Sequence, residues 1–245
     1  MISVVIFLPA IYFGIGALAV LRITRRRKDA KFTRTVWTKY AVYAVIVAAV
    51  LLSIRERPVF QLLFFIIAGM ALTELMVWLR NPSRRTLVLV IALLVFGTAA
   101  GGFYFYVTNA SLNQAYAVYL LVFTFDGFSQ IAGQLFGKTS LLPKISPGKT
   151  VEGLIGGFAF TLLTAFLITE DTPQLPGGRL LFALAISAAA FTGDLLASLY
   201  KRRNHAKDFS RLIPGHGGML DRFDSFLAAG AAYALLALIF PHSSI

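Results

Sequence analysis

The sequence predicts an all-α integral membrane protein, a polytopic bundle of about eight transmembrane helices with both termini outside. Three observations carry this. Of the 245 residues, 58% are hydrophobic and 14% charged, and the mean hydropathy is +0.75, a lipid-embedded composition. The apolar residues arrive in blocks near the ~20 residues that cross a bilayer. The basic residues occupy alternate loops: 20 of the 23 Lys and Arg fall between spans one and two, three and four, five and six, or seven and eight. Since Lys and Arg accumulate in cytoplasmic loops, that alternation sets the orientation.

The first span, 2–21, is followed rather than preceded by its charges, Arg25, Arg26, Arg27 and Lys28. A secretory signal has the opposite order, so this is expected to be a retained span. The others are placed at 37–54, 59–79, 86–107, 115–136, 152–169, 180–200 and 223–240. Short polar connections such as RNPSRR (Arg80 to Arg85) and EDTPQLPGGR (Glu170 to Arg179) leave no room for an inserted soluble domain. Gly97 with Gly101, and Gly153 with Gly157, have small-xxx-small spacing and are expected to pack helices within the chain. The net charge of +12 would suit a polyanion such as nucleic acid, but its confinement to alternate loops makes it a positive-inside signal. There is no cysteine, which excludes disulfides and thiolate metal sites.

Only 11 acidic residues exist, and an acid within an apolar span costs around 2.5 to 3.5 kcal/mol unless a cavity, a cation or a metal receives it. Those inside or bordering spans are Glu74, Asp126, Glu152, Asp194, Asp221 and Asp224. Asp194, Ser198 and Lys201 are spaced i, i+4 and i+7, one helical stripe. Asp221 and Asp224 share a face at i and i+3, and Asp126 and Gln130 form a similar pair. Oxygen ligands without cysteine suit a hard cation such as Mg²⁺, with a second cation as an option. Paired carboxylates flanked by Lys and Arg suit phosphoryl or nucleotidyl transfer, where cations neutralise charge at phosphorus. Glu74, alone in span three, has no role beyond pairing with a neighbouring helix.

Two polar segments sharpen this reading. Gly133 to Gly157 reads GQLFGKTSLLPKISPGKTVEGLIGG; its GQLFGKT has one residue too few between glycines for a Walker loop and follows a membrane helix, not a strand. The segment still offers Lys138, Lys144, Lys149, Ser146 and Thr150, with Gly and Pro to turn backbone N–H groups toward an anion. The second, Ser198 to Ser225, reads SLYKRRNHAKDFSRLIPGHGGMLDRFDS.

That second segment closely resembles the CDP-diglyceride synthetase (phosphatidate cytidylyltransferase) family. Ser198, Lys201, Arg202, Lys207, Asp208, Ser210, Pro214, His216, Gly217, Gly218, Asp221, Arg222 and Asp224 fall in register with the family motif, and Tyr200 departs from its usual aliphatic residue or Phe. FGKTSLLPKISPGKTVEG is similar to the family's other conserved region, whereas DGFSQ, Asp126 to Gln130, keeps the Asp and lacks the usual Ala-Tyr pair. The resemblance implies a metal-dependent, homodimeric membrane enzyme converting CTP and phosphatidate to CDP-diacylglycerol and pyrophosphate. The bacterial inner membrane is its expected place, with the active site facing the cytoplasm. Residues 1–114 would form the N-terminal helices and 115–245 the catalytic region with loops 137–151 and 201–222, in one integrated membrane domain. On this resemblance Asp194, Asp221, Asp224, Lys201 and Arg222 are the catalytic candidates, and Asp194, Asp221, Asp224 and Asp126 the metal ligands. Lys138, Lys149, Ser146, Thr150, Ser198, Lys201, Arg202, Lys207, His216, Gly217 and Gly218 are the nucleotide- and phosphate-binding candidates. The alternatives are a CTP-dependent enzyme acting on another lipid phosphate or an isoprenoid alcohol, and, more distantly, a small transporter.

Overall fold

The computed structural model describes residues 2–27, 29–77, 86–168, 178–210, 212–213 and 217–240. It is all-α in its membrane part, as predicted: α1 (Ile2–Arg27), α2 (Ala30–Arg55), α3 (Arg57–Val77), α4 (Thr86–Asn109), α5 (Leu112–Phe136), α6 (Val151–Leu167), α7 (Gly178–Arg203) and α8 (Leu220–Ile239). Among the described residues, seven helices are long and apolar enough to cross a membrane; α6, with 17 residues, is the short one. Leu18, Leu52 and Leu87 lie exposed on outer faces, where lipid rather than water is the favourable neighbour.

The helices overrun the apolar blocks. Residues 22–36, expected as a loop, are mostly helix, because Asp29 restarts the chain as an N-cap, its carboxylate accepting from the N–H groups of Lys31 and Phe32 at 2.9 and 3.2 Å. A small element was not expected: β1 (Ser140–Leu142) and β2 (Ser146–Thr150) form an antiparallel ribbon, pairing Ser140 with Thr150 and Leu142 with Ser146 across a bulge. It joins α5 to α6 where a loop was predicted.

α5 is the central helix, buried almost continuously from Gln114 to Phe125. The polar groups it carries inward find partners: Gln114 closes a capping box with Ser111 and accepts from the Tyr233 hydroxyl at 2.6 Å. Aromatic side chains of α3, α4, α5 and α8 fill the space beside it, with Phe103 edge-on to Phe226 at 4.7 Å between centroids. α6 lies close against α5 through the predicted glycine pair: a Cβ on Gly153 would meet the Ser129 carbonyl oxygen at 2.7 Å, and one on Gly157 the Phe125 carbonyl oxygen at 3.0 Å. Gly97 and Gly101 differ from the expectation; a Cβ on either meets nothing within 4 Å among the described residues. Gly157→Leu should therefore lower stability by about 2 to 3 kcal/mol, and Gly97→Leu by less than about 0.5 kcal/mol. Thermal unfolding of the purified protein in detergent checks both.

Candidate functional site

The polar residues gather at one end of the bundle, where α3, α5 and α7 finish and α6 and α8 begin. Two kinds of acid occur there. Asp221, in the first turn of α8, is fully engaged. Its Oδ1 accepts from the Lys201 ammonium at 2.5 Å, and its Oδ2 from the N–H groups of Phe209 and Gly218 at 2.7 and 2.8 Å. Both members of the ion pair are buried, with side-chain exposures of 10% and 2%, and Lys201 also lies over the Phe209 ring. Glu74 is engaged just as completely, accepting from the Ser210 hydroxyl and from the N–H groups of Met219 and Leu220 at 2.7, 2.8 and 2.9 Å.

The glycines of the second segment serve these carboxylates. Gly217 has φ +82°, and a Cβ there would meet Asp221 Oδ2 at 2.6 Å. A Cβ on Gly218 would meet the Glu74 carboxyl carbon at 2.7 Å. The close approach expected between backbone and a phosphate is thus made, at these two positions, between backbone and the chain's own acids.

The second kind of acid is under-coordinated. Asp194 of α7 accepts a long 3.3 Å bond from Ser198 and lies 2.8 Å from the Lys149 ammonium. The latter is a charge contact without hydrogen-bond alignment, and Lys149 also sits over the Phe191 ring. Asp126 of α5 receives a 3.4 Å contact from the Ser225 hydroxyl. Asp224 of α8 accepts from the Ser225 N–H at 2.8 Å through Oδ1, while its Oδ2 is buried without a hydrogen-bond partner among the described residues. The three carboxylates act on one another electrostatically, and Lys149 and the exposed Arg222 act on Asp126. Gly193 permits this proximity, since a Cβ there would meet the Asp224 carbonyl oxygen at 2.6 Å.

The ribbon brings the first segment to the same place. Thr150 caps α6, its hydroxyl accepting from the Gly153 N–H at 3.1 Å. Glu152, at the outer edge of that helix, accepts from the N–H groups of Lys138 and Thr139, and the Lys138 bond leads in holding its carboxyl down at about 2. Arg202 joins the two segments, donating through Nε to the Ile145 carbonyl and through one Nη to that of Ala206, both at 3.0 Å. Lys138, Lys144 and Lys207 are exposed, and Ser146 is half-buried in β2. His216 and Pro214 lie outside the described residues.

Of the predicted site residues, Asp126, Asp194, Asp224, Lys149 and Ser198 come together, and Arg222 acts on Asp126 through its charge. Lys201, Asp221, Gly217 and Gly218 form a separate structural knot directly beside them. Sequence reasoning missed Glu74's partners, the Ser225 contact and the Glu152 anchor. The one available signal was Glu74's lone carboxylate at the end of span three shared by the other acids.

Among the described residues no three His or acidic side chains converge closely enough to cage a metal ion. The donor set still fits Mg²⁺, which commonly takes one or two carboxylates and completes its shell with water and substrate phosphate. Asp224 Oδ2, buried and unpartnered, is the oxygen that such an ion would satisfy.

Fold and site together define a polytopic membrane protein with acids and bases concentrated at one mouth of its helix bundle. The family model of the Cytidylyltransferase family matches residues 2–240, and the chain belongs to that family. Among curated proteins it is similar to the phosphatidate cytidylyltransferase of Haemophilus influenzae, 36% identical over 164 residues, covering 62% of this chain and 56% of the relative. It is likewise similar to those of Staphylococcus haemolyticus, 41% identical over 130 residues (52% and 50%), and Bacillus subtilis, 38% identical over 144 residues (56% and 54%). The chain thus spans about half the length of the curated relatives it matches.

The knot makes a stability prediction. Asp221→Asn leaves Lys201 as a buried, uncompensated charge, and Lys201→Met does the same to Asp221; each should cost about 3 to 5 kcal/mol. The double variant should recover part of that loss, because no lone charge remains. Asp194→Asn, at a half-exposed carboxylate, should shift the unfolding temperature far less; denaturation of all four proteins in one detergent provides the comparison.

Proposed function

We propose that this protein is a membrane cytidylyltransferase that joins CTP and phosphatidate to give CDP-diacylglycerol and pyrophosphate. The observation carrying the reading is the under-coordinated acid group, Asp126, Asp194 and the buried, unpartnered Asp224 Oδ2, set against Lys149 at the meeting of the two polar segments. Membership of the Cytidylyltransferase family and similarity to proteins named phosphatidate cytidylyltransferase support it.

The chemistry asks little of a general base. A phosphate monoester, with its second ionisation at about 6, is already largely dianionic at neutral pH. Its oxygen attacks the α-phosphorus of CTP; the new P–O bond forms as the bond to the β-phosphate breaks, and pyrophosphate leaves with that electron pair. The protein must hold two anions in line and keep their charges from repelling. Lys138, Lys207 and Arg222 are exposed at the mouth and suit the triphosphate and the lipid headgroup, while Lys149 can exchange Asp194 for a phosphate oxygen. Asp194 and Asp224 would hold Mg²⁺, with Asp126 supporting it; bound there, the ion supplies positive charge to the phosphate oxygens. Lys201 and Asp221 act differently, fixing the second segment and the start of α8 from within. The basic loops and the family resemblance support a site on the cytoplasmic face of a bacterial inner membrane and a homodimeric enzyme.

The DGFSQ departure, whose Ser129 hydroxyl is buried without a hydrogen-bond partner among the described residues, favours testing other lipid phosphates and isoprenoid alcohols beside phosphatidate. Purified protein given labelled CTP and phosphatidate should release CDP-diacylglycerol only with a divalent cation. Asp194→Asn and Asp224→Asn should each lower turnover by at least about a hundredfold while eluting as folded protein. Product formed equally well in chelator, or from a different acceptor alone, would overturn the corresponding part of the reading.

A further inference from the structure

We infer that Glu74, from the N-terminal half of the chain, is a positioning residue that sets the first turn of α8, and through it Asp224, for nucleotidyl transfer. This rests on the function proposed above. A helix begins with backbone N–H groups that have no partner within it, and a side chain at the N-cap ordinarily receives one. The N-cap of α8 is Met219, which is itself in helical conformation and makes no side-chain cap bond. The acceptor comes instead from α3. Glu74 Oε1 takes the Met219 N–H and Oε2 the Leu220 N–H, across more than 140 residues of sequence.

The same Oε1 receives the Ser210 hydroxyl, so one carboxylate fixes both ends of the segment from Ser210 to Met219. Glu74 is 6% exposed, and its burial is compensated by these three donors and by the positive end of the α8 dipole. Gly218 is shaped to this contact, since a Cβ there would occupy the place of the carboxyl group. Asp224 follows one turn after Leu220, so whatever fixes that first turn also fixes where Asp224 stands relative to Asp194 and Lys149. A displacement of about 1 Å at a reacting centre can cost on the order of a hundredfold in rate.

Glu74→Gln keeps the volume and one acceptor oxygen but turns an N–H₂ group toward a backbone donor. In the full-length protein in detergent, two readouts separate positioning from mere folding. On the folded, monodisperse fraction, kcat should fall roughly ten- to hundredfold, and backbone amide exchange at Met219 and Leu220 should accelerate by at least about tenfold. Exchange at Val118 and Leu120 in α5 should not change. Because the methyl would fill the space the carboxylate leaves, Glu74→Ala combined with Gly218→Ala should be far less damaging than the product of the single effects. Unchanged kcat in folded Glu74→Gln, unaltered exchange at Met219 and Leu220, or fully multiplicative single effects would each overturn the inference. Wild-type protein that does not turn over CTP would instead overturn the proposed function, and exchange with the Glu74–Gly218 coupling in thermal stability would then decide the clamp by itself.

Discussion

A carboxylate that leaves water inside a helix bundle must be met by donors, and the end of this molecule that holds the polar residues is arranged around two such acids. Asp221 gathers a Lys ammonium and two backbone N–H groups; Glu74 gathers a hydroxyl and two more. Between them they satisfy the N–H groups of Phe209, Gly218, Met219 and Leu220, a run of backbone otherwise left without acceptors where the second segment turns into α8. The interaction is mutual. Backbone donors make the buried charges tolerable, and the charges give an irregular segment one conformation.

This separates the acids into those whose oxygens are already engaged and those left under-coordinated. A carboxylate with three short donors has little capacity left for a ligand, so Asp221 and Glu74 are architectural despite lying within the polar cluster. Asp126, Asp194 and Asp224 are the reverse: long contacts, an unaligned charge pair and one buried oxygen with no partner among the described residues. These three acids repel one another and are opposed by Lys149 and Arg222 at Asp126 and by Lys201 at Asp224; on the proposed function an incoming cation would relieve that repulsion. Being in the signature motif does not divide the two groups, because Asp221 and Asp224 are both motif residues three positions apart. What divides them is whether neighbouring N–H groups have already claimed their oxygens.

The helices were legible because hydropathy blocks of span length leave few alternatives, and the grouping of acids at one end followed from where those blocks stop. Their extensions into the basic segments were not, since a run of Arg and Lys reads as loop until a cap such as Asp29 restarts the helix. The ribbon escaped because SLLPKISPGKT mixes two prolines and a glycine into strands of three and five residues. On α7 the i, i+4 pairing of Asp194 with Ser198 holds, but Lys201 at i+7 rises about 10 Å further along the axis and turns to Asp221 on α8. Spacing within a helix predicts neighbours on that helix only. Glu74 shows the same limit more strongly, because nothing local to α3 names a partner almost 150 residues away.

The two polar segments are also not independent. Arg202, at the end of α7, donates to the Ile145 carbonyl between the two ribbon strands, and the ribbon ends in Lys149 and Thr150, the latter capping α6. Lys149 returns to α7 at Asp194, so ribbon and helix are tied at both ends of β2. The Arg202 tie is a directional hydrogen bond, whereas the Lys149 tie is a charge contact without hydrogen-bond alignment, the less directional of the two. On the proposed function, an anion competing for cations here would draw on the Lys149 end, whose contact with Asp194 is not a formed hydrogen bond. On the proposed function, the ribbon would keep its Arg202 anchor on α7 while Lys149 exchanged Asp194 for a phosphate oxygen, with no transmembrane helix required to move.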